Sequence, residues 1–204
     1  MAEPVIVRDA EPAEFAAIGD LRVAAYQRDG FLSDASYYGE TLRTLGTDGT
    51  GQILSAVADG QLLGTVMLQL PPHAGQVVRG PDEAEVRALA VAPEAQGRGV
   101  GRALLRAVIE RATGLGIRQL VLSTQSGMDA ARHLYTSVGF GRLPDRDWSP
   151  APGFTLLAYG LPLEPAGDGE SRSLRLGLAA RRRRNHTRRR LGRSRLRPAR
   201  PLGH

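Results

Sequence analysis

Between Gln96 and Arg102 the chain reads Gln-Gly-Arg-Gly-Val-Gly-Arg, with glycines at alternate positions and two arginines among them. Glycine lets main-chain N–H groups come close to a bulky anion. A helix start adds unsatisfied N–H groups and the positive end of a dipole. A helix pattern follows at once, because Val100, Leu104, Leu105, Val108, Ile109, Ala112 and Leu115 recur at three- and four-residue spacing. The segment therefore has the chemistry of a diphosphate seat, built from Gln96, Gly97, Arg98, Gly99, Val100, Gly101 and Arg102. Two nucleotide signatures do not fit it. The glycines fall at G-x-G-x-G rather than the dinucleotide G-x-G-x-x-G, and there is no Gly-Lys-Ser/Thr, the chain having no lysine at all.

The elements around this seat can be read from periodicity and turn chemistry. A strand is expected over Val5 to Arg8, then a helix from Glu11 to Arg28 with Phe15, Ile18, Leu21, Val23 and Tyr26 on one side, and a second helix from Asp34 to Leu45. Gly46 to Gly51 is a turn cluster. Two apolar runs, Ile53–Ala58 and Leu62–Leu70, flank Asp59-Gly60, which predicts a hairpin with a type I′ turn. After a loop from Pro71 to Pro81 comes a strand over Glu85–Val91, in which Val86, Ala88 and Ala90 alternate with Glu85, Arg87, Leu89 and Val91. A face shared by two charges and two aliphatic side chains suits a strand that lines a cleft. A helix over Arg98–Leu115, a strand over Gln119–Ser123, a helix over Met128–Val138, a strand from Gly139-Phe140 and a last strand over Phe154–Leu161 complete the order. This succession predicts an α/β fold, a mixed sheet with helices on its faces.

Three segments stand in one order: Glu85-Val-Arg-Ala-Leu-Ala-Val91, then the Gln-x-x-Gly-x-Gly run at 96–101, then Leu134-Tyr135-x-x-x-Gly139-Phe140. Together they resemble the GNAT superfamily of acyl-CoA-dependent N-acetyltransferases. The likeness is motif-specific from Glu85 to Phe140 and follows the family's element order over residues 3 to 163. It implies an acyl-CoA N-acyltransferase fold with splayed central strands, acetyl-CoA as co-substrate, and a primary amine acceptor that attacks the thioester directly. The pantetheine arm would lie along Leu89, Ala90 and Val91, and the pyrophosphate on the amides of Gln96 through Arg102. A main-chain N–H near Leu89 would polarise the thioester carbonyl. Tyr135 would serve the departing thiolate. Glu85 would take the proton of the amine, directly or through water, because an alkylammonium with a pKa near ~10 has no lone pair to attack with. One position departs from the pattern: Met128 stands where many members carry Asn, which leaves Ser126 and Gln125 as the nearby polar substitutes.

For the acceptor, two places offer suitable chemistry. Tyr26, Phe31, Tyr37 and Tyr38 gather around the first two helices. Asp145, Asp147 and Trp148 lie between the last two strands, either as a carboxylate and aromatic receptor for a cation or as a polar loop with one packed tryptophan.

Charge divides the chain in two. Through Glu164 there are 14 Arg and 19 acidic residues, a net −5, and from Pro165 onward 13 Arg and 2 acidic residues, a net +11. The reading is an N-acetyltransferase domain over 1–163 and an Arg-rich tail over 164–204, expected to be disordered and able to touch a polyanion through 172–200. The chain has no Cys, which excludes disulfide frameworks and thiolate zinc sites, and its four His show no metal spacing, so no metal is expected. No signal-like or membrane-spanning run is apparent, so the expected location is the cytoplasm. A homodimer is compatible with the sequence. The competing readings are a non-catalytic acyl-CoA sensor on the same fold and a nucleic-acid-binding protein acting through the basic tail.

Overall fold

Asp59 and Gly60 have φ values of +50° and +71°, the two positive angles that a type I′ turn demands. They close β2 (Gln52–Ala58) onto β3 (Gln61–Gln69), as the sequence predicts. The computed structural model describes residues 4–32 and 38–164. The tail and its expected polyanion contact over 172–200, together with Tyr37, lie outside them.

The remaining elements are β1 (Ile6–Asp9), α1 (Phe15–Arg28), α2 (Tyr38–Thr44), β4 (Glu83–Val91), α3 (Val100–Gly114), β5 (Gln119–Gln125), α4 (Asp129–Val138), β6 (Gly141–Arg142), β7 (Trp148–Ala151) and β8 (Phe154–Pro162). The strands form one sheet in the order β1-β2-β3-β4-β5-β8-β6, with β7 paired to β8. Among the described residues only β4 and β5 run parallel, so the sheet is mixed. Strand β7 departs from the loop expected there: Trp148 opposes Leu156 and Ala151 opposes Phe154. Pro150 hides this strand from sequence reading, since proline is tolerated on such an edge and nowhere more central.

Side-chain alternation on β3 assigns the two layers. Val66 and Leu68 share a core with Leu104, Leu105 and Val108 of α3, whereas Met67 packs with Ile18 of α1 and Ile53 of β2. Helices α1 and α3 therefore cover opposite faces. Where α1 crosses α2, a Cβ placed on Gly19 would lie 2.7 Å from the Arg43 carbonyl oxygen, a main-chain atom that cannot swing aside. Gly19→Ala is expected to lower stability by about 1–3 kcal/mol. A urea midpoint that falls with an unchanged slope checks this.

Strand β4 carries the irregularity that matters for function. Its register on β3 pairs Arg87 with Met67 and Ala90 with Thr65, so Ala88 and Leu89 together oppose the single residue Val66. Ala88 has φ +49°, uncommon for a residue with a side chain. This is a β-bulge, and it re-phases the strand. Upstream, Val86 faces the α3 core. Downstream, Leu89 and Val91 join that core, while Ala88 packs with Val23 and Leu42 on the other face. The simple alternation read from sequence, which put Leu89 and Val91 beside Glu85 and Arg87, is thereby corrected.

Candidate functional site

On its other side β4 pairs with β5 only over Glu83–Glu85 against Gln119–Val121, although β4 runs on to Val91 and β5 to Gln125. The unpaired ends diverge. A cleft of about 370 Å³ opens there, with Leu89, Ala90 and Val91 on one wall, Met128 to Ala131 and Tyr135 of the α4 region on the other, and Tyr26 and Phe31 across one end. An extended ligand in this gap would meet main-chain groups of β4 that no neighbouring strand occupies.

Gln96 also lines the cleft, which brings the glycine run to its rim. Helix α3 starts at Val100, two residues later than its apolar pattern suggested, with Gly99 as N-cap. The first helical bond of α3 runs from the Ala103 N–H to the Gly99 carbonyl, so the N–H groups of Val100, Gly101 and Arg102 have no acceptor within the helix. Gly97 and Gly99 have φ of +74° and +81°, and a Cβ on either would meet nothing within 4 Å. These two glycines supply the turn and leave open space above the amides. Gly101 has a different task, because a Cβ there would lie 2.9 Å from Leu134 Cδ2, and its absence lets α3 approach α4. The Val100 side chain is buried in the core, leaving only its main chain for a ligand. Arg98 is exposed, whereas Arg102 donates to Ser137 Oγ at 3.2 Å.

Tyr135 is 8% exposed and packs between Phe140 and Tyr159, with ring centroids 6.0 and 6.4 Å away. Burial pushes its phenol above the ordinary tyrosine range, so it stays protonated throughout neutral pH. Met128 lines the cleft, and its thioether sulfur accepts the Thr124 hydroxyl at 3.3 Å. Gln125 reaches instead toward the Phe31 carbonyl at 3.5 Å, and neither it nor Ser126 is among the cleft-lining residues.

Glu85 is buried and lies beyond the cleft lining, on the α1 and α2 face of β4. Its Oε2 accepts the Gly75 N–H at 2.8 Å, and its Oε1 stands 4.0 Å from Arg87 Nε. Burial raises its carboxyl above the usual range, opposed by Arg87 and the Gly75 amide. Around it stands a cluster of which the sequence disclosed the aromatic members, Tyr26 and Tyr38, but not the polar partners Gln69 and Arg22. Arg87 donates to Gln69 Oε1 at 2.8 Å, Tyr38 hydrogen-bonds with Arg87, and the Tyr26 and Tyr38 rings meet at 6.4 Å. Arg22 is wholly buried nearby. Nothing in the helical pattern of residues 11–28 marks Arg22 as interior, because a charged residue there breaks the apolar stripe.

The Asp145 and Asp147 carboxylates are already committed. Asp145 binds Arg79 at 2.7 Å, and Asp147 takes two Arg142 bonds at 2.8 Å plus the Ala158 N–H at 2.8 Å. Trp148 Nε1 donates to Ser123 Oγ at 3.0 Å. Neither Asp145 nor Asp147 is therefore left as a free carboxylate, and Trp148 is half-buried on β7. Among the described residues no group of three or more His, Asp or Glu is placed to hold a metal ion, and no helix is long and apolar enough to cross a membrane.

Comparison with known proteins agrees with this architecture. The model of the acetyltransferase (GNAT) family matches residues 15–140. A mycothiol acetyltransferase of Cellulomonas flavigena is 35% identical over 121 residues, covering 58% of this chain and 34% of that protein. The chain thus spans about a third of the length of the curated relatives it matches. Among solved structures, a GCN5-related N-acetyltransferase from Kribbella flavida is 30% identical with a TM-score of 0.60, covering 78% of this chain and 98% of that one. YncA of Salmonella typhimurium, solved with its cofactor acetyl-CoA, has the same fold at 20% identity and a TM-score of 0.60, covering 81% and 98%.

Proposed function

From the premise that this chain belongs to the GNAT acetyltransferase family, we propose that it transfers an acetyl group from acetyl-CoA to a primary amine, both being bound when the amine attacks. One observation carries the reading: the bulge at Ala88 and the parting of β4 from β5 make a cleft whose rim bears the free amides at the start of α3. A thioester arm needs that gap and a diphosphate needs those amides.

Acetyl-CoA supplies the activated acyl group. In this reading Leu89, Ala90 and Val91 hold the arm by their main chain, and the run from Gln96 to Arg102 holds the diphosphate chiefly through the N–H groups of Val100, Gly101 and Arg102, since those of Gln96 and Arg98 already reach the Pro93 and Ala95 carbonyls at 3.4 Å. A main-chain N–H at the bulge polarises the thioester carbonyl. The Tyr135 hydroxyl, kept protonated by burial, faces the sulfur and offers its hydrogen as the C–S bond breaks. Glu85, a stronger base than an ordinary carboxylate because it is buried, receives the amine proton through water, since it does not line the cleft itself. The new N–C bond forms as that proton leaves. Met128 offers no amide to the arm, so its wall is an apolar contact.

The test is a thiol-release assay over amino acids, peptide N-termini, polyamines and aminoglycosides. Free thiol is expected in equal amount with acetylated amine, and only when amine is present. If no amine consumes acetyl-CoA while calorimetry registers its binding, the molecule is the non-catalytic sensor instead. If acetyl-CoA does not bind, both readings fall.

A further inference from the structure

The face of β4 that looks toward α1 and α2 holds more positive than negative charge. Arg22 is 0% exposed, and its Nη1 donates to the Leu42 and Leu45 carbonyls at 3.3 and 2.8 Å, at the end of α2. Its Nε and Nη2 have no hydrogen-bond partner among the described residues. Burial lowers this guanidinium to about 10, with Arg87 adding to the fall and the Tyr26 and Tyr38 phenols opposing it. Arg87 stands in front, its side chain 28% exposed. Among the described residues the carboxylate beside Arg87 is Glu85, whose Oε2 is already engaged by Gly75. Gln69 and the two phenols are neutral. A desolvated positive charge without a full counter-charge is costly, and a bound anion would relieve it.

This charged face adjoins the cleft. Tyr26 lines the cleft and meets Tyr38, while Ala88, next to Arg87, is covered on this face by Val23, Leu32 and Leu42. Tyr26 links the two regions, being within electrostatic reach of Tyr135 and of Arg87.

We propose that the acceptor is an amine that also carries a carboxylate, and that Arg87 binds this carboxylate with Arg22 as the second positive charge behind it. The inference rests on the acetyl-transfer reading above. The carboxylate takes the guanidinium donors of Arg87 that Gln69 and Tyr38 leave free, and the amine lies on the cleft side of Arg87, its proton passing to Glu85 through water. Polyamines, which bring only positive charge to two arginines, are disfavoured.

Matched pairs test the proposal: α-amino acids against their carboxamides, β-alanine against β-alaninamide, and putrescine as the purely cationic case. The native protein is expected to favour the carboxylate member by about 10- to 100-fold in kcat/KM, chiefly through KM, as befits a charge-assisted hydrogen bond. In Arg87→Gln this ratio falls toward one, and Arg87→Lys restores part of it. Equal use of both members, or preference for putrescine, overturns the inference and leaves acetyl transfer standing. A preference that survives Arg87→Gln removes Arg87 from the role. No turnover with any amine overturns the acetyl-transfer reading, and the inference with it.

Discussion

Tyr135→Phe should lower kcat by about 10²-fold or more while leaving acetyl-CoA affinity within about twofold, if the phenol serves the leaving sulfur. The substitution deletes one oxygen from a ring held between Phe140 and Tyr159, so the packing of α4 against β8 is preserved. The effect therefore isolates the hydroxyl. Because burial raises the phenol's pKa, the residue is an O–H donor at every pH at which the protein is assayed, and the native rate should show no decline from its ionisation between pH 6 and 9. Single-turnover kinetics with a fixed amine would measure both features. A kcat within twofold of native would reduce Tyr135 to a packed aromatic side chain.

Gly99→Val should weaken acetyl-CoA binding by at least about tenfold. A branched side chain at φ +81° costs roughly 1–2 kcal/mol in backbone terms alone, and here it would also occupy the open space above the amides of α3. A control separates the two effects. Gly116, past the far end of α3, has φ +77° and likewise nothing within 4 Å of a built Cβ. Gly116→Val should lose comparable stability and keep its affinity in calorimetry. Equal affinity in both variants would mean that the glycine run is an ordinary turn.

Those two residues illustrate what the sequence discloses well. Asp59-Gly60, Gly97 and Gly99 announce themselves because positive φ has a residue signature, and the α3 stripe announces itself by period. The mixed α/β sheet follows from the order of such elements. The bulge had no comparable signature. Ala88 takes φ +49° although alanine has no preference for it, so a period-two reading carried across it places Leu89 and Val91 on the wrong face. Long-range polar partners were also illegible. The bond from Gly75 to Glu85, the Arg146 bonds to Glu83 at 2.7 and 2.9 Å, and the bond from Arg79 to Asp145 join residues whose contact depends on how loops fold back. The Gly101 packing role was hidden for the same reason, since Leu134 lies 33 positions away in the chain and only 2.9 Å from its missing Cβ.

The dislocation in β4 divides one ribbon into two independent inheritances. If Arg87 binds the acceptor as proposed, side-chain identities before Ala88 govern which molecule is welcomed, and after it the ribbon would contribute chiefly its peptide groups. Descendants of such a chain can change clientele by exchanging a few side chains on the first half without disturbing how the second half grips its fuel. A single deletion at the dislocation would remove the extra residue and the bend it makes, while leaving Ala90 and Val91 opposite Thr65 and Gly64 as they are now.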